Sequence, residues 1–159
     1  MNAYGALAAS YDRLTYDVDY EGWVDFAQAI LEREGLRPRT VADLACGTGS
    51  ATRILAQLGY RVTAVDLSED MLTEAMDKCC DLETLPTFVH QNLAELKLPR
   101  AVDMAVCFLD SLDYILDPAD CEAAMPVSVQ PPTADHSLLR YKILSVRHLF
   151  RLLPCLHKR

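Results

Sequence analysis

From Trp23 onward the apolar residues Trp23, Phe26, Ala27, Ile30 and Leu31 recur at helical spacing, and Gly35 stands where a helix-closing glycine belongs. The pattern predicts an amphipathic helix. Beyond Pro38, Val41-Ala42-Asp43-Leu44-Ala45 is a short, mostly apolar run that reads as a buried strand entering a glycine loop. Ile54, Leu55 and Leu58 supply the apolar side of the next helix, closed by Gly59. Arg61 to Val65 predicts a second strand ending at Asp66. Ser68 then reads as an N-cap, with Glu69 and Asp70 in a first turn where negative charge suits the helix dipole. Met71, Leu72, Ala75, Met76 and Cys79 form that helix's inner face. Thr87 to His90 predicts a third strand, Val102 to Leu109 a fourth, and Asp117-Pro118 the start of a further helix.

Strands alternating with helices at this spacing imply an α/β fold, a Rossmann-like doubly wound sheet that is mostly parallel and has right-handed crossovers. In such sheets ligands sit beyond the carboxyl ends of the strands, which groups Gly47, Asp66, Asn92 and Asp110 around one crevice. The chain divides into an N-terminal helical cap segment (1–38), a cofactor-binding core (39–124) and an atypical tail (125–159).

The tail breaks the pattern. All six glycines lie at or before Gly59, and four of the eight prolines fall in residues 126–159. Residues 1–125 hold nine Lys/Arg against 22 Asp/Glu, whereas residues 126–159 hold six against Asp135 alone. The expectation is a shifted reading frame near Ala124 and an incomplete sheet with strand order 3-2-1-4. The fourth strand then ends the sheet as an edge open to self-association, unless tail residues such as Leu139, Ile143, Val146 and Leu149 cover it as a helix or strand.

Composition adds limits. With 51% hydrophobic and 24% charged residues, the chain has the profile of one soluble globular domain. The N-terminus lacks the basic stretch and apolar run of a secretory signal, and no window approaches the roughly eighteen consecutive apolar residues of a membrane span. The expectation is a cytoplasmic protein with no membrane partner. A net charge of −8 argues against a general nucleic-acid surface. The six cysteines form no Cys-x-x-Cys pair and read as reduced thiols in or near the core rather than as a metal site.

The chemistry concentrates at Asp43-Leu44-Ala45-Cys46-Gly47-Thr48-Gly49. Glycines between a strand and a helix let backbone approach a ligand, beside unpaired N–H groups at the helix start. Asp66, 19 residues after Gly47, ends the next strand, where an acidic side chain can accept from both ribose hydroxyls. A dinucleotide fingerprint asks for a third small residue, and Thr52 occupies that position. Acidic Asp43 is an awkward neighbour for a pyrophosphate but suits a ligand carrying ammonium and sulfonium charges. S-adenosylmethionine is such a ligand.

These residues resemble class I S-adenosylmethionine-dependent methyltransferases, especially the small bacterial enzymes of the type 11 and type 25 groups. The match rests on Asp43 to Gly49, on Val65-Asp66-Leu67-Ser68-Glu69-Asp70-Met71-Leu72, and on Phe108-Leu109-Asp110-Ser111-Leu112. It includes Tyr11-Asp12 and the run Asp17 to Trp23, so it covers roughly residues 4–124. By that resemblance Asp43, Ala45, Gly47 and Gly49 would line the methionine part of the cofactor, with Cys46 in the same loop among the contacts. Asp66 would bind the ribose, and Leu67 and Met71 would pack near the adenine. Asn92 and Leu93 would flank the adenine from the other side, and Asp110 would face the methyl group and the substrate. The family usually carries Asp where Asn92 stands, and an amide oxygen accepts the same bond.

Other residues invite readings that compete with plain structural roles. His90 at a strand end is either a proton acceptor or a hydrogen-bonded structural histidine. Tyr11, Tyr16, Tyr20 and Trp23 form either a lid over the cofactor or the packing face of the N-terminal helix. Asp110, Asp113 and Asp117 read as solvated loop carboxylates rather than a metal cluster. No catalytic residue and no metal ligand is assigned. The leading function is methyl transfer to a small-molecule substrate; the competing ones are an inactive cofactor-binding fragment and an NAD-dependent oxidoreductase.

Overall fold

The computed structural model describes residues 8–108 and 144–145. In chain order they form α1 (Ala8–Leu14), α2 (Tyr20–Arg33), β1 (Thr40–Leu44), α3 (Ser50–Gln57), β2 (Arg61–Asp66), α4 (Glu69–Cys79) and β3 (Thr87–His90). A 3-10 turn (Leu93–Glu95), β4 (Met104–Cys107) and β5 (Leu144–Ser145) follow. All strand pairings are parallel, and the order is β3-β2-β1-β4-β5. The expected 3-2-1-4 order is therefore present, extended by one short strand from the tail. Val106 pairs with Leu144 and Cys107 with Ser145, so tail residues cover part of the β4 edge as a strand. Of the two outcomes expected for that edge, open or covered by the tail, it is covered at those two positions. The rest of the tail, with the helix expected at Asp117, lies outside the described residues.

Alternation along the strands divides the core between two faces, as a period of two requires. Val41, Met104 and Val106 join Val24 and Leu31 of α2 and Ala51 and Leu55 of α3 in one cluster. Their neighbours Ala42, Leu44, Ala105 and Cys107 face the other way, with Val65, Leu93 and Val102. Asp43 shares its side of β1 with Val41, which turns its carboxylate toward α3.

Local chemistry explains the element ends. Asp19 accepts the Gly22 N–H at 2.9 Å, so α2 begins at Tyr20, three residues before the expected start at Trp23. Leu36 N–H reaches Leu31 O (2.8 Å) and Tyr60 N–H reaches Leu55 O (3.2 Å), closing α2 and α3 through the glycine-centred hydrogen-bond pattern expected at Gly35 and Gly59. The fourth strand is shorter than the predicted 102–109. Asp103 turns out of it, and its Oδ2 accepts the Arg39 and Thr40 N–H groups at 2.8 and 3.0 Å. Helix α1 lies inside the expected helical cap segment, but its bounds were not predicted, since seven residues are too few for a helical period to show.

Candidate functional site

The loop between β1 and α3 carries positive φ at Ala45 (55°), Gly47 (55°) and Gly49 (77°). It leaves β1 at the carboxyl edge of the sheet and opens α3 with Gly49 as an N-cap that lacks a side-chain bond. Gly49 is a glycine for a steric reason too. A Cβ there would lie 2.8 Å from Ala75 Cβ and 3.1 Å from Ala75 Cα on α4. The small residue needed for close packing is thus Gly49 against α4, not position 52.

Asp66 ends β2 beside this loop. Its Oδ2 accepts the Gly47 N–H at 2.8 Å and its Oδ1 accepts the Ser68 N–H at 2.9 Å. A carboxylate oxygen has two acceptor directions, so each keeps capacity for a ligand hydroxyl. Asp43 is 1% exposed, and Thr52 Oγ1 donates to its Oδ2 at 2.5 Å. Burial pushes the Asp43 carboxyl up to about 7; the Thr52 bond opposes this and the Asp66 charge adds to it. Cys46 is half-buried in the same loop, and burial followed by the Asp43 and Asp66 charges raises its thiol well above the ordinary range. It stays a neutral thiol rather than a nucleophile.

Beyond β2 and β3 a cavity of about 720 Å³ is lined by Leu67, His90, Gln91, Asn92, Glu95, Leu96 and Lys97. It brings together Leu67, 60% exposed, and Asn92, which the resemblance sets on opposite sides of an adenine. Met71 and Leu93 are buried beside them in sequence, Met71 on α4 and Leu93 in the second core face. His90 brackets the β2–α4 turn, with Nε2 2.9 Å from Leu67 O and Nδ1 3.2 Å from Glu69 Oε1. Asp110, Asp113 and Asp117 lie outside the described residues.

The aromatic residues considered for a lid separate. Tyr20 and Trp23 pack against the α2–α3 core cluster, Trp23 stacked on Phe108 at 6.1 Å between ring centroids. Tyr16 is 84% exposed, whereas Tyr11 Cε1 is 3.9 Å from where a Gly47 Cβ would stand. Tyr11 is therefore set at the glycine loop, and Tyr20 lies near enough to Tyr11, Asp12 and Asp43 for their charges to act on it. Cysteine placement also differs from expectation: Cys79 and Cys107 are buried, but Cys80 is exposed. Sequence reasoning missed Thr48 and Lys78, whose side chains meet Asp12 beside the loop. No spacing rule signals a contact made across 30 or more residues.

Residues 41–127 match the family described as Methyltransferase domain, which takes in the glycine loop, Asp66 and the β3–β4 segment. The chain belongs to this family. A relative from Geobacillus sp. (strain WCH70), provisionally named a methyltransferase, is 36% identical over 118 residues, 74% of this chain and 48% of its own length. A crystal structure of an S-adenosylmethionine-dependent methyltransferase from Clostridium acetobutylicum ATCC 824 is 36% identical with a TM-score of 0.67, covering 78% of this chain and 51% of its own. A magnesium protoporphyrin IX methyltransferase from Synechocystis PCC 6803, solved with bound S-adenosylmethionine, is 28% identical with a TM-score of 0.54, over 86% and 67%. This methyltransferase-domain chain spans about half the length of the curated relatives it matches. Among the described residues no helix is long and apolar enough to cross a membrane.

Proposed function

We propose that this chain binds S-adenosylmethionine in the crevice above β1 and β2 and transfers its methyl group to a small-molecule acceptor. The observation that carries the reading is the Asp66–Gly47 bond beside buried Asp43. Asp43, whose carboxyl burial pushes up to about 7, ionises readily beside a ligand bearing ammonium and sulfonium charges and gains no such help from a pyrophosphate, so the loop suits the former. In this reading Asp43 and the backbone of Ala45, Cys46, Gly47 and Gly49 hold the methionine part. The remaining acceptor directions of Asp66 take the ribose hydroxyls. Leu67 and Met71 pack on one side of the adenine, Asn92 and Leu93 on the other, with the neighbouring cavity giving it room. Asp110 is assigned to the methyl-facing side on the family resemblance alone.

The bound cofactor supplies an activated methyl group on a sulfonium, which needs little help in leaving. The chain's own contribution is placement: the loop and Asp66 set the cofactor's position, so that an acceptor held in line gains its rate from proximity. His90 fits the bracketing role better than proton transfer, because each ring nitrogen is already within bonding distance of an oxygen.

Calorimetric titration of the purified chain with S-adenosylmethionine, S-adenosylhomocysteine and NAD tests this. The first two are expected to bind and NAD to give no heat; binding of NAD alone would overturn the reading. Asp66→Ala is expected to weaken S-adenosylmethionine binding by about tenfold or more, as loss of a charged hydrogen-bond partner implies. Binding without transfer to any acceptor would favour the competing reading, a cofactor-binding but inactive fragment.

A further inference from the structure

Beside the glycine loop, four segments converge on one polar cluster. Lys78, in the last turn of α4, places Nζ 2.7 Å from Asp12 Oδ2 on α1, 2.9 Å from Ser50 Oγ at the start of α3, and 3.2 Å from Thr48 Oγ1 in the loop. Thr48 Oγ1 in turn donates to Asp12 Oδ1 at 2.5 Å. An ammonium has three protons, and all three have an oxygen here. Lys78 is 23% exposed and Asp12 54%, so the cation is sheltered while the carboxylate stays open to water. Burial acts to raise the Asp12 carboxyl, but the bonds from Lys78 and Thr48 and the Lys78 charge hold it below its ordinary value.

Among the described residues α1 buries little apolar surface of its own. It has seven residues, Leu14 is 63% exposed, and Ala8 is its one buried hydrophobic side chain among those described. A helix that short does not persist alone in water, so its docking depends on contacts outside itself. Yet it carries Tyr11, whose Cε1 is 3.9 Å from where a Gly47 Cβ would stand.

We infer that Asp12 and Lys78 are positioning residues forming a latch that holds α1 across the glycine loop, so that cofactor exchange requires this cluster to open. The inference rests on the cofactor reading above and adds what controls the rate of exchange. Breaking the latch loosens the hold on α1, which carries Tyr11, without touching the groups assigned to the cofactor.

The test compares wild type with Asp12→Asn, which keeps the side chain's shape but removes its charge, and with Lys78→Arg, which restores a cation. Trypsin cleavage after Arg13, on α1 itself, reports local opening, and competitor chase of bound S-adenosylhomocysteine reports release. Asp12→Asn is expected to speed both by about two- to fivefold, the span for losing one ion pair whose carboxylate is open to water. Lys78→Arg should lie near wild type, and added salt should speed release in wild type but little in Asp12→Asn. Unchanged release in Asp12→Asn overturns the latch, even if Arg13 is cut faster, because α1 would then open without gating the site. If wild type binds neither S-adenosylmethionine nor S-adenosylhomocysteine, the cofactor reading itself falls and the gate with it. Should Asp12→Asn fail to fold, Ser50→Ala removes one Lys78 bond alone and should shift both rates in the same direction.

Discussion

Replacing Gly49 with alanine tests the packing that shapes the loop. The backbone there has φ of +77°, which costs an L-residue roughly 1–2 kcal/mol. The added Cβ would meet Ala75 Cβ at 2.8 Å and Ala75 Cα at 3.1 Å. Ala75 is fully buried in the middle of α4, and a backbone carbon cannot rotate aside. Relief requires α3 and α4 to separate, a forced repacking that adds about 1–3 kcal/mol. Gly59 provides the control, with φ of +89° and nothing within 4 Å of a Cβ built there, so Gly59→Ala carries the backbone cost alone. Urea unfolding followed by circular dichroism should therefore show Gly49→Ala losing about 2–5 kcal/mol in all, and about 1–3 kcal/mol more than Gly59→Ala. Losses that agree within about 0.5 kcal/mol, the ordinary scatter of surface substitutions, would refute the close-packing argument.

Two further predictions concern the buried carboxylate. Because the folded Asp43 carboxyl lies at about 7, above its unfolded value near 3.8, the folded chain holds a proton that the unfolded chain has lost between those values. Its contribution to stability is therefore greatest below about pH 4 and declines as pH rises toward 7, by something on the order of 4 kcal/mol. Asp43→Asn should flatten that part of the stability–pH curve relative to wild type, and identical slopes would exclude Asp43 as the source. Thr52→Val keeps the shape but removes the hydroxyl bonded to Asp43, so thermal and urea unfolding should register a loss of about 1–3 kcal/mol. In the Asp43→Asn background the loss should shrink, and purely additive losses would mean that the two side chains are not coupled.

The alternation of apolar and polar residues was enough to locate β1, β2, β3 and α4 and to put the glycine loop at the carboxyl edge of a parallel sheet. Those are consequences of local periodicity, capping and turn chemistry, which act within a few residues. Asp66 was legible for the same reason, since a strand's end fixes where its last side chain emerges. The start of α2 and the length of β4 were less so, because Asp19 and Asp103 set them through hydrogen bonds that compete with propensity.

Tertiary structure alone decided the rest. Thr52 read in sequence as a misfit for a dinucleotide, and folded it is the buried donor to Asp43. Gly49 read in sequence as a glycine that lets backbone approach a ligand, and folded it is also the contact that lets α3 approach Ala75. The meeting of Asp12 with Thr48 and Lys78 spans 36 and 66 positions. Such contacts depend on where separate elements are carried by the sheet, and a polar side chain's partner is chosen by that proximity rather than by anything in its own neighbourhood. Hydrophobic patterning thus determined the scaffold and the place of the crevice, while packing between distant segments determined which polar groups face one another there.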